Sequence, residues 1–323
     1  METRSVKVSV IIAAYNHAKF LPAAIESMIN QTFKESYEIL IVDDASTDET
    51  PLILKDFPAR DSKIKIFCMK TNVGPGAARN YAIQQAKGEY IAILDGDDIA
   101  KVERLEKQAC FLDEHPLTDM VFSLVTWIDD ELKPIENFPA RVSSGKFPQN
   151  CDEIFKVLYL ESNKIPNTSL MFRKSAFDKI GGYPPDVYIS EDWILCMKMA
   201  ASQMGISAIP EALVLQRRGQ THSHLMSNKI ASFKAGRAAL HKIKEWLKAS
   251  GIHRFDNLYR QALANEWIRE ARYRQGVYGF FLCIWALILC SKNPYAWKNL
   301  AWFFEKLATR LTNGNITARN LFF

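Results

Sequence analysis

The sequence predicts an α/β fold, a mostly parallel sheet flanked by helices, with an α-helical C-terminal extension. Two observations predict it. Apolar runs at 8–14, 37–42, 64–69 and 90–94 alternate with segments of helical spacing, which is the rhythm of βαβ units and a doubly wound sheet. The charge is also divided along the chain: 25 Lys+Arg against 31 Asp+Glu over residues 1–225, and 16 against 5 over residues 226–323. The net charge of +5 therefore belongs to a basic tail, and a boundary is expected at 225/226.

The first strand, Val8–Ala14, is β-branched and stops at Tyr15-Asn16. Phe20–Gln31 repeats apolar residues at Leu21, Ile25, Met28 and Ile29, as a one-faced helix does, with Pro22 in its first turn. Tyr37–Val42 is a second strand closing on Asp43-Asp44. Ser46-Thr47-Asp48-Glu49 has the spacing of a capping box and predicts a helix over Thr50–Phe57. Ile64–Met69 is the third strand. Asn72–Gly76 is a turn before a helix over Ala77–Ala86. Gly74 and Gly76 do not have dinucleotide-fingerprint spacing, and a plain loop suffices for them.

The fourth strand carries the chemistry. Tyr90–Leu94 is apolar and runs into Asp95-Gly96-Asp97-Asp98. Three carboxylates in four residues repel one another at the end of a buried strand. Mg2+ or Mn2+ would relieve that, while leaving positions for water and phosphate oxygens. A solvated polar turn with Gly96 at positive φ is the alternative. In a parallel sheet, ligands bind beyond the carboxyl ends of the strands, so Asn16, Asp43, Asp44 and Asp95–Asp98 should share one rim.

Val8–Asn16, Val42–Asp48, Asn72–Asn80 and Gly88–Asp98 together resemble the family 2 glycosyltransferases of GT-A fold, in the family's order and spacing. The resemblance implies a nucleotide-sugar-binding and catalytic domain over residues 1–225. Ala14, Tyr15 and Asn16 would line the nucleotide and Asp44 would bond the base. Arg79 would lie near the nucleotide, and Asp95 and Asp97 would serve ribose and metal as a DxD pair. It further implies that Asp192 is the general base, with Glu191 supporting it, although acidic residues in a first helical turn are ordinarily dipole partners. Inverting transfer needs one base for the acceptor hydroxyl and positive charge at the departing diphosphate. Gln216–Ser223 resembles an Arg-rich loop over that diphosphate, but Gly219 departs from the expected pattern. Arg217, Arg218 and His222 are weaker candidates, and solvated loop charges are the other reading.

By family association the donor would be a UDP-sugar and the acceptor a glycan or lipid-linked molecule of cell-surface polysaccharide synthesis. A catalytically silent nucleotide-sugar binder and a nucleotidyltransferase-like enzyme are the alternatives. Further along, Met120–Ile128 reads as a strand, 133–150 as a polar loop and Asp152–Glu161 as a short helix.

In the tail, Lys229–Leu247 and Leu258–Arg274 read as helices. Val277–Cys290 is uncharged over 14 residues, fewer than the roughly 20 a spanning helix needs. The aromatic stretch 295–304 follows beside lysines. Contact with an anionic membrane surface through 277–304 and a packed helical hairpin or dimer contact are both open. Nucleic acid is not expected as a partner, for no binding motif accompanies the basic residues. The six cysteines are scattered without a CxxC pair, which argues against zinc or a disulfide framework. The first apolar run lacks signal-peptide flanks. The expected location is cytoplasmic, or peripheral at the inner face of the plasma membrane.

Overall fold

The computed structural model describes residues 5–135, 147–148, 150–218, 229–274, 276–289, 297 and 301. The chain divides into two compact units, Met1–Phe155 with Asn163–Ser223, and Lys156–Ser162 with His224–Phe323.

The first unit is built on an eight-stranded sheet of order β3-β2-β1-β4-β7-β6-β8-β5. Its strands are β1 (Val8–Ala14), β2 (Tyr37–Asp43), β3 (Ile64–Cys68), β4 (Tyr90–Asp95), β5 (Ile99–Ala100), β6 (Thr118–Ile128), β7 (Met171–Arg173) and β8 (Gly205–Arg217). β1 pairs in parallel with both β2 and β4, and β2 with β3. β1, β2 and β4 are covered on both faces, so they read as near-continuous apolar runs, and every residue of β2 is buried; β3, at the sheet edge, is only partly buried. The short β7 runs antiparallel between β4 and β6, and β5 antiparallel to β8, while β6 and β8 are parallel. The carboxyl ends of β1, β2, β3, β4, β6 and β8 therefore share one edge, and the register sets Ala14 beside Asp43 and Ala13 beside Asp95.

Helices α1 (Leu21–Ile29), α2 (Thr50–Leu54), α3 (Phe57–Arg60), α4 (Pro75–Gln85), α5 (Arg104–Glu114), α6 (Cys151–Leu160), α7 (Lys174–Lys179) and α8 (Glu191–Ala201) join the strands. One core gathers Val10, Ile12, Leu21, Ile25, Ile41, Leu94 and Leu105 with their neighbours.

Three expectations are corrected. The helix expected over Thr50–Phe57 is two short helices, and Pro58 opens the second. The capping box does not form, because its hydroxyl is spent elsewhere: Ser46 Oγ accepts the Asn16 N–H, and Glu49 makes no side-chain cap bond. The helix expected from Ala77 begins at Pro75, with its fixed φ in the first turn and Gly74 as the cap. Strands β5, β7 and β8 and helices α5 and α7 have no counterpart among the elements expected from the sequence.

The second unit contains α9 (Lys229–Ala249), α10 (Tyr259–Arg274) and α11 (Gly276–Leu289). Two small apolar clusters lie between α10 and α11, one of Ala264, Ile268 and Ala286 and one of Ala271, Leu282 and Cys283. Among the described residues no helix is long and apolar enough to cross a membrane. His222, and the stretch 295–304 apart from Trp297 and Ala301, lie outside the described residues.

Candidate active site

The site is assembled on the carboxyl edge. At the end of β1, Ala14 is buried and Tyr15 is exposed. Asn16 has φ 56°, a left-handed conformation that Asn tolerates better than most residues. Its Oδ1 accepts the N–H groups of Thr47 (2.8 Å) and Asp48 (3.3 Å). Asp48 in turn accepts the Ala18 N–H. Asn16 thus ties the β1 and β2 exits together.

Asp44 is buried. Its two oxygens accept the N–H groups of Val73 (2.8 Å) and Gly74 (2.9 Å). Burial pushes its carboxyl upward, those two N–H groups oppose the shift, and the Asp43 charge adds to it. Gly74 sits at φ +88°, and a Cβ there would lie 2.8 Å from the Tyr188 ring. The glycine that sequence alone leaves as plain loop is thus required by both conformation and space.

At the end of β4 the three acidic residues part company. Asp98 is buried and accepts the Arg217 N–H at 2.7 Å. Burial, with Asp97 and Asp95 nearby, pushes its carboxyl well up. Asp95 and Asp97 are partly exposed. Asp95 Oδ1 accepts from Arg79 Nη2 (2.7 Å) and Asn167 Nδ2 (3.0 Å). Gly96 is not at positive φ. It is needed because a Cβ would come within 2.6 Å of His17 Nδ1.

These residues fit a divalent cation in a specific sense. Two partly exposed carboxylates on one tight turn are hard oxygen donors. Among the described residues no three His, Cys, Asp or Glu side chains converge as a protein-only cage. An ion at Asp95 and Asp97 would complete its shell with water and substrate oxygens.

Glu191 and Asp192 open α8 behind Ser190, which has φ 74°. Glu191 is buried, with Oε1 2.7 Å from Arg79 Nη1. Burial raises its carboxyl and Arg79 opposes the shift. Arginine keeps its proton, so Glu191 always faces a cation. Asp192 keeps a water-facing edge, accepts from Asn163 Nδ2 at 2.8 Å and contacts the Trp193 N–H at 2.7 Å. Burial first, then the Glu191 charge, push its carboxyl up to about 7.

Arg217 is no flexible loop cation. It ends β8, buried, and donates to the carbonyls of Asp97 (3.0 Å), Asp129 (3.1 Å) and Asp130 (3.0 Å). Arg218 lies over the Trp127 ring.

Asn163, Asn167 and Tyr183 join the site as residues sequence reasoning did not assign to it. In the sequence the only signal is a polar Asn167-Thr168-Ser169 set directly ahead of the apolar Leu170–Phe172.

Residues 9–181 match the family described as glycosyl transferase family 2, more than half of the chain. An uncharacterized glycosyltransferase of Methanocaldococcus jannaschii is 30% identical over 230 residues, covering 70% of this chain and 77% of that protein. The chain belongs to glycosyl transferase family 2. Family membership makes it a glycosyltransferase, and the solved structures fix the fold. The 1–349 fragment of Staphylococcus aureus TarS superposes with TM-score 0.65 at 21% identity, covering 96% of this chain and 92% of the fragment. The same fragment is known in complex with UDP-GlcNAc, at TM-score 0.61. A Pyrobaculum calidifontis mannosyltransferase in complex with GDP-Man and Mn2+ matches with TM-score 0.56 at 17% identity, over 95% of this chain and 87% of that one. The fold is GT-A, a mixed α/β sheet flanked by helices with a helical C-terminal region. The matches to several Rickettsia relatives span about a third of their length.

Proposed function

We propose that the protein is an inverting, metal-dependent glycosyltransferase that moves a sugar from a UDP-sugar to a hydroxyl of a glycan or lipid-linked acceptor in cell-surface polysaccharide synthesis. The observation that carries this reading is Asp192, a carboxylate with a water-facing edge at the head of α8, held up to about 7 by burial and a charged neighbour. A base poised near the operating pH is what proton removal from a sugar hydroxyl requires.

In the reaction, Asp192 takes the acceptor's hydroxyl proton as that oxygen bonds to the anomeric carbon. The bond from that carbon to the diphosphate oxygen breaks on the opposite face. The anomeric configuration inverts and the nucleoside diphosphate leaves with the electron pair. Glu191, held by Arg79 at 2.7 Å, adjoins Asp192 and helps to push its carboxyl up. Asp95 and Asp97 would hold the cation, which supplies positive charge at the departing diphosphate. Ala14, Tyr15, Asn16 and Asp44 would form the nucleoside side of the cleft. The choice of UDP is supported by the UDP-GlcNAc complex of the TarS fragment, and that of metal by the Mn2+ complex of the mannosyltransferase.

The test is nucleotide release from UDP-, GDP- and dTDP-sugars with Mn2+, beside Asp97→Ala and Asp192→Asn. The expected result is release of UDP from one donor, lost with EDTA and in both variants. Metal-dependent nucleotide binding without turnover, even with lipid extracts as acceptors, would establish the silent binder instead. Pyrophosphate release would establish the nucleotidyltransferase.

The second unit supports a peripheral membrane location at the cytoplasmic face. Phe281, Trp285 and Ile288 are exposed at helical spacing on α11, and the segment around them is basic, as interfacial helices are. The expected result is co-sedimentation with anionic vesicles, lost in Trp285→Ser/Ile288→Ser. Equal recovery with and without vesicles would refute the location.

A further inference from the structure

We infer that Arg79 is a positioning residue that braces the strand-end carboxylate Asp95 against Glu191 at the head of the base-bearing helix, rather than a ligand of the nucleotide. The inference rests on the glycosyl-transfer reading and assigns Arg79 a different task within it. Arg79 lies in the first half of α4 and is 6% exposed. One terminal nitrogen meets Asp95 and the other meets Glu191, each at 2.7 Å. The guanidinium lies over the Tyr183 ring, 5.6 Å from its centroid. Its Nε is buried without a hydrogen-bond partner among the described residues, and with 6% of the residue exposed little of the guanidinium is open to a ligand.

A second path joins the same elements. Asn167 donates to Asp95 at 3.0 Å and accepts from the Tyr183 hydroxyl at 3.1 Å. Asn80, next to Arg79, accepts the Tyr183 N–H at 3.0 Å and donates to the Tyr183 carbonyl at 2.8 Å. The contacts close a ring: Asp95, Asn167, Tyr183, Asn80, then along α4 to Arg79 and back to Asp95. Lys198 fixes the turn before Tyr183 by donating to the carbonyls of Ile180 (3.1 Å) and Gly182 (3.0 Å).

The chemistry explains why this position takes arginine. A planar fork can hold two carboxylates on separate nitrogens at a fixed angle, whereas lysine offers a single point charge on a flexible stem. Partly exposed Asp95 and buried Glu191, each 2.7 Å from the one guanidinium, would otherwise repel each other. One cation shared between them offsets that repulsion and fixes the distance between the β4 end and the α8 end. Asp95 belongs to the proposed donor and metal side, and Glu191 adjoins the proposed base. The brace therefore sets the spacing between the leaving group and the base that activates the acceptor.

The test compares Arg79→Lys, Arg79→Met, Glu191→Gln and the Arg79→Met/Glu191→Gln double variant with the wild type. UDP affinity with Mn2+ is measured by calorimetry, and kcat and KM by nucleotide release. A brace predicts kcat lowered about 100-fold in Arg79→Met, the size of a misplacement effect, while UDP affinity stays within about threefold. Arg79→Lys recovers part of kcat. The double variant is no slower than Arg79→Met, because residues acting as one unit are not additive. UDP affinity falling in step with kcat/KM would make Arg79 a nucleotide ligand and overturn the inference, as would multiplicative losses in the double variant.

If the Arg79 variants do not fold, Tyr183→Phe removes one hydroxyl from the ring. Lower kcat at unchanged KM supports the brace, and unchanged kcat overturns it. A wild type that binds UDP without turnover defeats the functional reading alone. The brace is then judged by hydrogen exchange in Tyr183→Phe: faster exchange at both 95–98 and 190–194 supports it, and a change at one segment or neither refutes it.

Discussion

The side-chain amide of Asn163 donates to Asp192 Oδ2 at 2.8 Å, and so favours the charged form of a carboxyl that burial and Glu191 push up to about 7. A base must be deprotonated to act, so kcat/KM should rise with pH on a limb near that value. Asn163→Ala removes a bond to the charged form and should move the limb upward by about one unit, since a hydrogen bond to a charged group contributes about 1.5 kcal/mol. A pH–rate profile checks this. An unmoved limb would mean that the titrating group is not Asp192.

The same carboxyl links stability to pH. Its folded value, about 7, lies above the ordinary 3.8. Between those values the unfolded chain has released a proton that the folded chain retains. Stability therefore falls as pH rises from 3.8 towards 7, then levels off. Three units correspond to about 4 kcal/mol at most, reduced by the water-facing edge of Asp192. Asp192→Asn should gain in Tm over the wild type as pH is raised from 4 to 7, and no further above it. A pH-independent difference would show that Asp192 is ionised in the fold well below neutrality.

Asp44 and Gly74 should fail together. Asp44→Ala strips the acceptors from two backbone N–H groups and should cost about 2–6 kcal/mol, since each unsatisfied buried group costs about 1–3. Gly74→Ala meets a left-handed φ and the Tyr188 ring. It should cost about 1–3 kcal/mol, the range for residues in sparsely populated conformations. Tyr188→Ala should relieve only the steric part. Urea midpoints of the singles and the Gly74→Ala/Tyr188→Ala pair measure the split, and full relief would place the whole cost in the ring contact.

What was legible in the sequence follows from where each signal is stored. β1, β2 and β4 were legible because burial on both faces writes an unbroken apolar run, and their exits because a parallel sheet collects carboxyl ends. The capping box misled because Ser46 and Asp48 answer to Asn16 and Ala18, about 30 residues away in the chain, and a tertiary partner overrides a local pattern. β8 was missed because Pro210 and Glu211 interrupt its pattern. The partners of Arg79 lie 16 and 112 positions away, and no local spacing encodes them.

Arg217 illustrates the last point and carries the last prediction. In the sequence it belongs to an Arg-rich loop, yet in the fold it is buried at the end of β8 and bonds three carbonyls. One of these belongs to Asp97, so Arg217 shapes the turn that would hold the cation. Its own N–H reaches Asp98, which further fixes that turn. Arg217→Ala leaves three carbonyls without their donor and should cost about 3 kcal/mol or more, with each unsatisfied group at about 1–3 kcal/mol. Arg217→Lys should recover only part, because one ammonium cannot replace the planar fork. Mn2+ affinity in the presence of UDP should weaken in both variants in the same order as their urea midpoints. A stable Arg217→Ala with unchanged unfolding but lost turnover would return Arg217 to the diphosphate side and refute its role as an anchor of the turn.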